Sequence, residues 1–229
     1  MWQRKASLLV ALAIAFTTAP FLFRAAAQCN PASGSSANDT IICNGDDADG
    51  VNTGSGSDQV NLVSGTVKDT IVSEGGSLLI IVDGGALDTS AKGSDAIHLN
   101  ASGSVEQQGD ITSGSNGIFI VGNGQILILG NITAQQSGVS ASSGSVSFSA
   151  NIIALYSDGI HIDNDAVVSG GGDINAGGDG IEIGSGSVAV GGTIISHYAN
   201  GIYIRGDGSV SAGGTINASQ VGISLGSGT

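Results

Sequence analysis

From Asp95 onward the chain repeats itself every 21 residues without insertion, in lines that begin at Asp95, Asn116, Ser137, Asp158, Asp179, Asn200 and Val221. The second position is glycine at 117, 138, 159, 180, 201 and 222, and Ala96 in the first line. The third is Ile97, Ile118, Val139, Ile160, Ile181, Ile202 and Ile223; the fifth is Leu99, Ile120, Ala141, Ile162, Ile183, Ile204 and Leu225. An apolar-x-apolar triplet has the two-residue period of a strand that buries one face. Each line carries further marks of the same kind, such as Val188 and Val190 and then Ile195 in the line that starts at Asp179. Gly, Asn, Asp and Ser fill the gaps, as turns that need positive φ or a side chain bonded to its own backbone prefer. Three short strands and three turns per 21 residues predict an all-β fold, a right-handed parallel β-helix with rungs of about 21 residues.

The repetition is a physical requirement. One rung buries a handful of aliphatic side chains, far too little to offset the entropy of ordering its backbone, so each rung depends on neighbours that cover its core and complete its ladders. The rest of the sequence agrees. After Pro31 there is no proline, which would remove a ladder donor from a stacked strand. Upstream of Asp95 the period blurs while the residue types persist: "SEGGSLLIIVDGGALDTSAKGS" reads as an irregular rung and "DQVNLVSGTVKDTIV" as one or two more. The expected organisation is a short cap over 28–43 followed by β-helix repeats over 44–229, with the regular period from 95.

Residues 1–27 are set apart from this pattern. Arg4 and Lys5 precede an apolar run that ends near Ala25 and Ala27, an A-x-A site, so the segment reads as a secretory signal peptide and the mature chain begins near Gln28. Its removal leaves Lys68, Lys92 and Arg205 against nineteen carboxylates, a net charge of −16. Such a chain repels nucleic acid, and its mature segment is expected to stay out of the membrane. In an exported chain the only cysteines, Cys29 and Cys43, are expected to form a disulfide.

The signal peptide, "TIICNGDDADGVNTGSGSDQVNLVSGTV", and the succession "GDITSGSNGIFI", "GDINAGGDGIEI" and "GGTINASQVGISL" resemble the N-terminal passenger region of Gram-negative autotransporter (type V secreted) proteins. That resemblance implies a β-helical passenger at the cell surface or outer membrane, or released from it, often for adhesion, with an outer-membrane β-barrel at the C-terminus. The chain stops at "VGISLGSGT", barely into a rung and without a polar cap, so it is expected to continue beyond Thr229 into that barrel. The family's protease and esterase motifs have no match, and no catalytic or cofactor-binding residue is assigned.

The candidate sites follow from the register. The fourth position of each line points outward and forms a column containing His98, Phe119, His161, Glu182 and Tyr203, a candidate interaction strip for a surface receptor, a glycan or a second copy of the chain. His98 and His161 lie three rungs apart, roughly 14 Å at about 4.8 Å per rung, too far to share a metal; His161 and Glu182 are adjacent and can pair. Asp158 and Asp179 stand in the first-position Asx column, where turn chemistry and a weak Ca²⁺ site are the two readings. "NGDDADGVN" and "TGSGSDQVN" resemble the RTX calcium nonapeptide, which makes Asp49 and Asp58 further weak Ca²⁺ candidates. Secreted scaffolding and adhesion is the leading expectation. A calcium-binding exported β-roll is the alternative, and a carbohydrate-active β-helix enzyme is a third reading, disfavoured because such chemistry needs basic residues and only Lys68, Lys92 and Arg205 are available.

Overall fold

The computed structural model describes residues 29–31 and 33–228; the expected signal peptide and the expected mature terminus at Gln28 lie outside the described residues. The described chain is an all-β, parallel solenoid of about nine turns, with rungs about 21 residues apart. Its strands form two sheets, of fourteen and eight strands, and parallel pairing holds throughout except at the N-terminal edge.

Each regular rung has three walls. The first carries the apolar-x-apolar triplet, as in Ile97–Leu99. Long strands such as Ile118–Ile128 and Ile160–Gly170 begin on this wall and bend onto the second. Short strands, among them Ile132–Ala134, Ile152–Ala154, Ile174–Ala176 and Ile194–Ser196, make the third. Inward positions superpose from rung to rung. Ile160 pairs with Ile181 and Ile181 with Ile202, all fully buried, and the same holds for Val168 and Val188 on the second wall and Ile174 and Ile194 on the third. Covering each apolar layer with the next supplies the burial that an isolated rung lacks.

The constant period conceals a compensation. On the first wall of the regular rungs every partner is 21 residues away, as in Ile160 and Ile181. On the second wall the separation alternates: Ile126 pairs with Val146, Val146 with Val168, Val168 with Val188 and Val188 with Val210, steps of 20, 22, 20 and 22. The third wall does the same. Rungs with an extra residue at the first corner, such as 121–122 against Ser142 alone, lack one at the corner after the third wall. The reverse rungs place theirs at 155–159 and 197–201. Each rung thus returns to register before the first wall.

Two sequence expectations change. The inward residue of the third wall is Ile194, 1% exposed, and not Ile195, which faces outward in register with Asn175 and Asn217. The glycines of the second position are required for space: none at 117, 138, 159, 180 or 201 has positive φ. A Cβ at Gly180 would lie 2.2 Å from Ile194 Cγ2 and 2.5 Å from the carbonyl of Gly201, and Gly159 repeats that geometry against Ile174 and Gly180.

At the N-terminal end Cys29 pairs antiparallel with Cys43, and the two form a buried disulfide. Thr40–Asn44 already stacks in parallel on Ser55–Ser64. The blurred period before Asp95 has two causes. The rung from Ile71 to Ile97 is 26 residues long. Polar residues also occupy inward positions there, with Thr53 and Ser73 in the column of Leu99 and Asp58 in the column of Leu78.

Candidate functional site

The outward column of the first wall is continuous. Phe119 pairs with His98 and with Ser140, Ser140 with His161, His161 with Glu182, and Glu182 with Tyr203. Its two histidines begin alike. His98 Nδ1 lies 2.9 Å from Asp95 Oδ2, and His161 Nδ1 lies 2.9 Å from Asp158 Oδ2, because the first and fourth positions of a line fall beside one another at the corner. The rung that follows separates them. His98 is followed by Phe119, whose ring centroid is 4.8 Å from its own, whereas His161 is followed by Glu182, with Nδ1 3.2 Å from Oε2.

Around His161 the charges interlock. Its Nε2 is 3.2 Å from Asp163 Oδ1. Arg205, one rung beyond Glu182, places Nε 3.4 Å from Glu182 Oε1 and donates through Nη2 to the carbonyl of Asp163 at 3.0 Å. The imidazole is pushed up to about 9, chiefly by the hydrogen bond to Asp158, with Asp163 and Glu182 adding to it against the opposing effect of burial. Glu182 and Asp179 are both raised, burial being the first cause in each; the attraction of His161 and Arg205 for Glu182 does not outweigh it.

The first-position column forms a ladder between rungs. Asp95 Oδ1 accepts from the amide of Asn116, Asn116 Oδ1 from Ser137, Asp158 Oδ1 from Asp179 at 2.7 Å, and Asp179 Oδ1 from Asn200 at 2.6 Å. Asp158 and Asp179 therefore face each other through an amide. A second ladder runs through Asp110, Asn131, Asn151 and Asp173 to the amide of Thr193.

The two nonapeptide aspartates occupy different parts of one three-sided rung. Asp49 lies in the turn before Val51, its amide donating to Asp47 Oδ1. Asp58 is 3% exposed on the inner side of the second wall, where Oδ1 accepts from the amide of Asp39 and Oδ2 has no protein partner. From Val51 to Ile71 this rung is 20 residues, against the eighteen of two nonapeptides. Among the described residues only Asp158, His161 and Glu182 bring three ligand-type side chains together, with donor atoms all within 4.8 Å of one another.

Two further surfaces were not singled out by the sequence reading. A groove of 730 Å³ crosses the outer face of the second wall over several rungs, between a row containing Ser77 and Ser104 and a row containing Leu79, Glu106 and Leu127. Tyr156 and Tyr198, 73% and 79% exposed, stand on the two lengthened corners after the third wall. Their amides donate to the carbonyls of Gln135 and Gly177 in the preceding rungs, and the short corner between them spans 177–180. The signal was present in the sequence as tyrosine at the twentieth position of alternate lines, 42 residues apart.

No family model matches the chain, and neither a curated protein nor a solved structure matches it.

Proposed function

We propose that the chain is a secreted or surface-displayed scaffold of autotransporter-passenger type that works by adhesion, through the outer face of its solenoid. The observation that carries the reading is the placement of Tyr156 and Tyr198. Beyond residue 27 the chain has only five aromatic residues, and two of them are held almost wholly in solvent by corners that the compensated register lengthens. Folding gains nothing from that exposure, while tyrosine is among the side chains most enriched at protein interfaces. The groove along the second wall adds a concave surface on a rigid frame. The disulfide at the N-terminal edge and the signal-like leader fit an oxidising, extracytoplasmic destination.

The reading is tested in the source cells. Protease applied to intact cells should remove an epitope tag placed at an exposed corner, and the Tyr156→Ala/Tyr198→Ala double variant should reduce cell attachment several-fold at unchanged display level and melting temperature. Protection of the tag inside intact cells, or unchanged attachment on deleting the gene, would refute it. A reading frame that continues beyond Thr229 without a β-barrel would remove the autotransporter part.

A further inference from the structure

We infer that Asp158, His161 and Glu182 form a binding site for one first-row divalent cation of the zinc type, using Asp158 Oδ2, His161 Nδ1 and Glu182 Oε2 as ligands. The inference is independent of the adhesion reading.

Two of the three donor-atom separations are already close to coordination spacing, and all three atoms lie within 4.8 Å of one another. Ligands about 2.1 Å from a Zn²⁺ ion are separated by about 3.0 Å at right angles and about 3.4 Å at tetrahedral angles. Here Nδ1 lies 2.9 Å from Asp158 Oδ2 and 3.2 Å from Glu182 Oε2. Small rotations of three side chains about their terminal bonds admit the ion.

The other polar atom of every ligand is held from outside the triad. Asp158 Oδ1 accepts the amide of Asp179, His161 Nε2 faces Asp163 Oδ1, and Glu182 Oε1 faces Arg205 Nε. A carboxylate on the far nitrogen of a ligating histidine fixes the tautomer and raises the basicity of the near one. With Nε2–H directed to Asp163, Nδ1 turns to the ion; the proton it carries in the ion-free state leaves to solvent. Asp179 and Arg205 are the remaining charged groups beside the triad, one a backbone donor to Asp158 and the other anchored on Glu182 and on the carbonyl of Asp163.

The chain carries its own control. Asp95 and His98 reproduce the Asp158–His161 pair at the same 2.9 Å, but the next rung presents Phe119 where the later one presents Glu182. Repeat geometry therefore supplies an Asp–His pair, and a single outward residue completes the set. One imidazole with two carboxylates suits Zn²⁺ and its neighbours, not Ca²⁺, which takes six to eight oxygens. The ligand side chains are 14% to 26% exposed, leaving a face for entry and for a water ligand.

The disulfide-bonded chain is titrated with Zn²⁺ by calorimetry in excess Ca²⁺. One saturable site is expected, with His161 showing metal-bound Nδ1 and protonated Nε2 in long-range ¹H–¹⁵N spectra. Glu182→Gln, which keeps shape and so folding, should weaken that site at least about tenfold, as should His161→Gln, while His98→Gln leaves it unchanged. Absence of a saturable site, survival of full affinity in Glu182→Gln, an equal loss in His98→Gln, or displacement by Ca²⁺ would each overturn the assignment.

Discussion

Replacing Gly180 by alanine tests the packing that defines the fold. The added methyl would sit 2.2 Å from Ile194 Cγ2 and 2.5 Å from the carbonyl oxygen of Gly201, where van der Waals contact needs about 3.5 Å or more. Neither neighbour retreats easily. Ile194 is β-branched, so its Cγ2 is fixed by one stiff torsion, and the Gly201 carbonyl already accepts the amide of Ile181 at 3.0 Å. Overpacking of a core costs about 1 to 3 kcal/mol, and loss of that ladder bond brings the expected value to about 3 kcal/mol. At an m-value of about 2 to 3 kcal/mol per molar urea the midpoint falls by about 1 M. Gly159→Ala, which meets Ile174 and Gly180 in the same way, should match it. Gly171 has open space and no positive φ, so Gly171→Ala should stay within about 0.5 kcal/mol of the parent. Urea unfolding of the oxidised chain, followed by circular dichroism, measures all three. A Gly180→Ala midpoint no lower than that of Gly171→Ala would refute the claim that close approach, and not turn conformation, demands glycine in this column.

Reduction of Cys29–Cys43, fourteen residues apart, should destabilise the N-terminal edge by up to about 3 kcal/mol, read as faster amide exchange in Thr40–Asn44 with little change in Ile181–Val190. Asp173→Ala removes the acceptor of the Thr193 amide and should cost about 0.5 to 1.5 kcal/mol and speed exchange there, while Asp173→Asn stays near neutral. With metal removed by EDTA, His161 should titrate near 9 in ¹⁵N spectra, and Asp158→Asn should lower that value more than Glu182→Gln does. Since the folded value lies above the ordinary 6.5, the charged imidazole stabilises fully below pH 6.5 and the contribution is lost as pH rises through 9. At this partly exposed site it amounts to about 1 kcal/mol, seen as a lower Tm at the alkaline end that Asp158→Asn flattens.

The first wall was legible because one position of each line must be β-branched and inward, and the eye needs only a fixed spacing to find it. The third wall was misread by one residue, at Ile195 in place of Ile194. "TII" offers two isoleucines, and the choice depends on which corner of that rung is short, which no single line reveals. The same alternation places Tyr156 and Tyr198 on corners lengthened by a residue that is compensated elsewhere in the rung; their spacing of 42 is visible in the sequence, their exposure is not. The adjacency of His161 and Glu182 was readable from the 21-residue step. Their convergence with Asp158 was not, because it depends on how far the corner turns the first position back toward the fourth. Before Asp95 the pattern failed for a chemical reason: Thr53, Ser73 and Asp58 stand at positions that later rungs fill with aliphatic side chains.

In this architecture inward and outward columns are almost independent. The inward side chains and the glycines opposite them are tied to both neighbouring rungs, so each substitution there is felt twice. An outward residue meets its column neighbours, adjacent corner residues and solvent but not the core, and replacing a phenylalanine type by a glutamate type at one fourth position, as the chain itself does between Phe119 and Glu182, leaves Ile118, Ile120, Ile181 and Ile183 equally buried. Corner length is nearly as free, because an added residue at one corner is cancelled at another before the first wall is reached. Sequence variation in such a chain is therefore least constrained at fourth positions and lengthened corners. Those are the places where His161 and Glu182, and Tyr156 and Tyr198, are found.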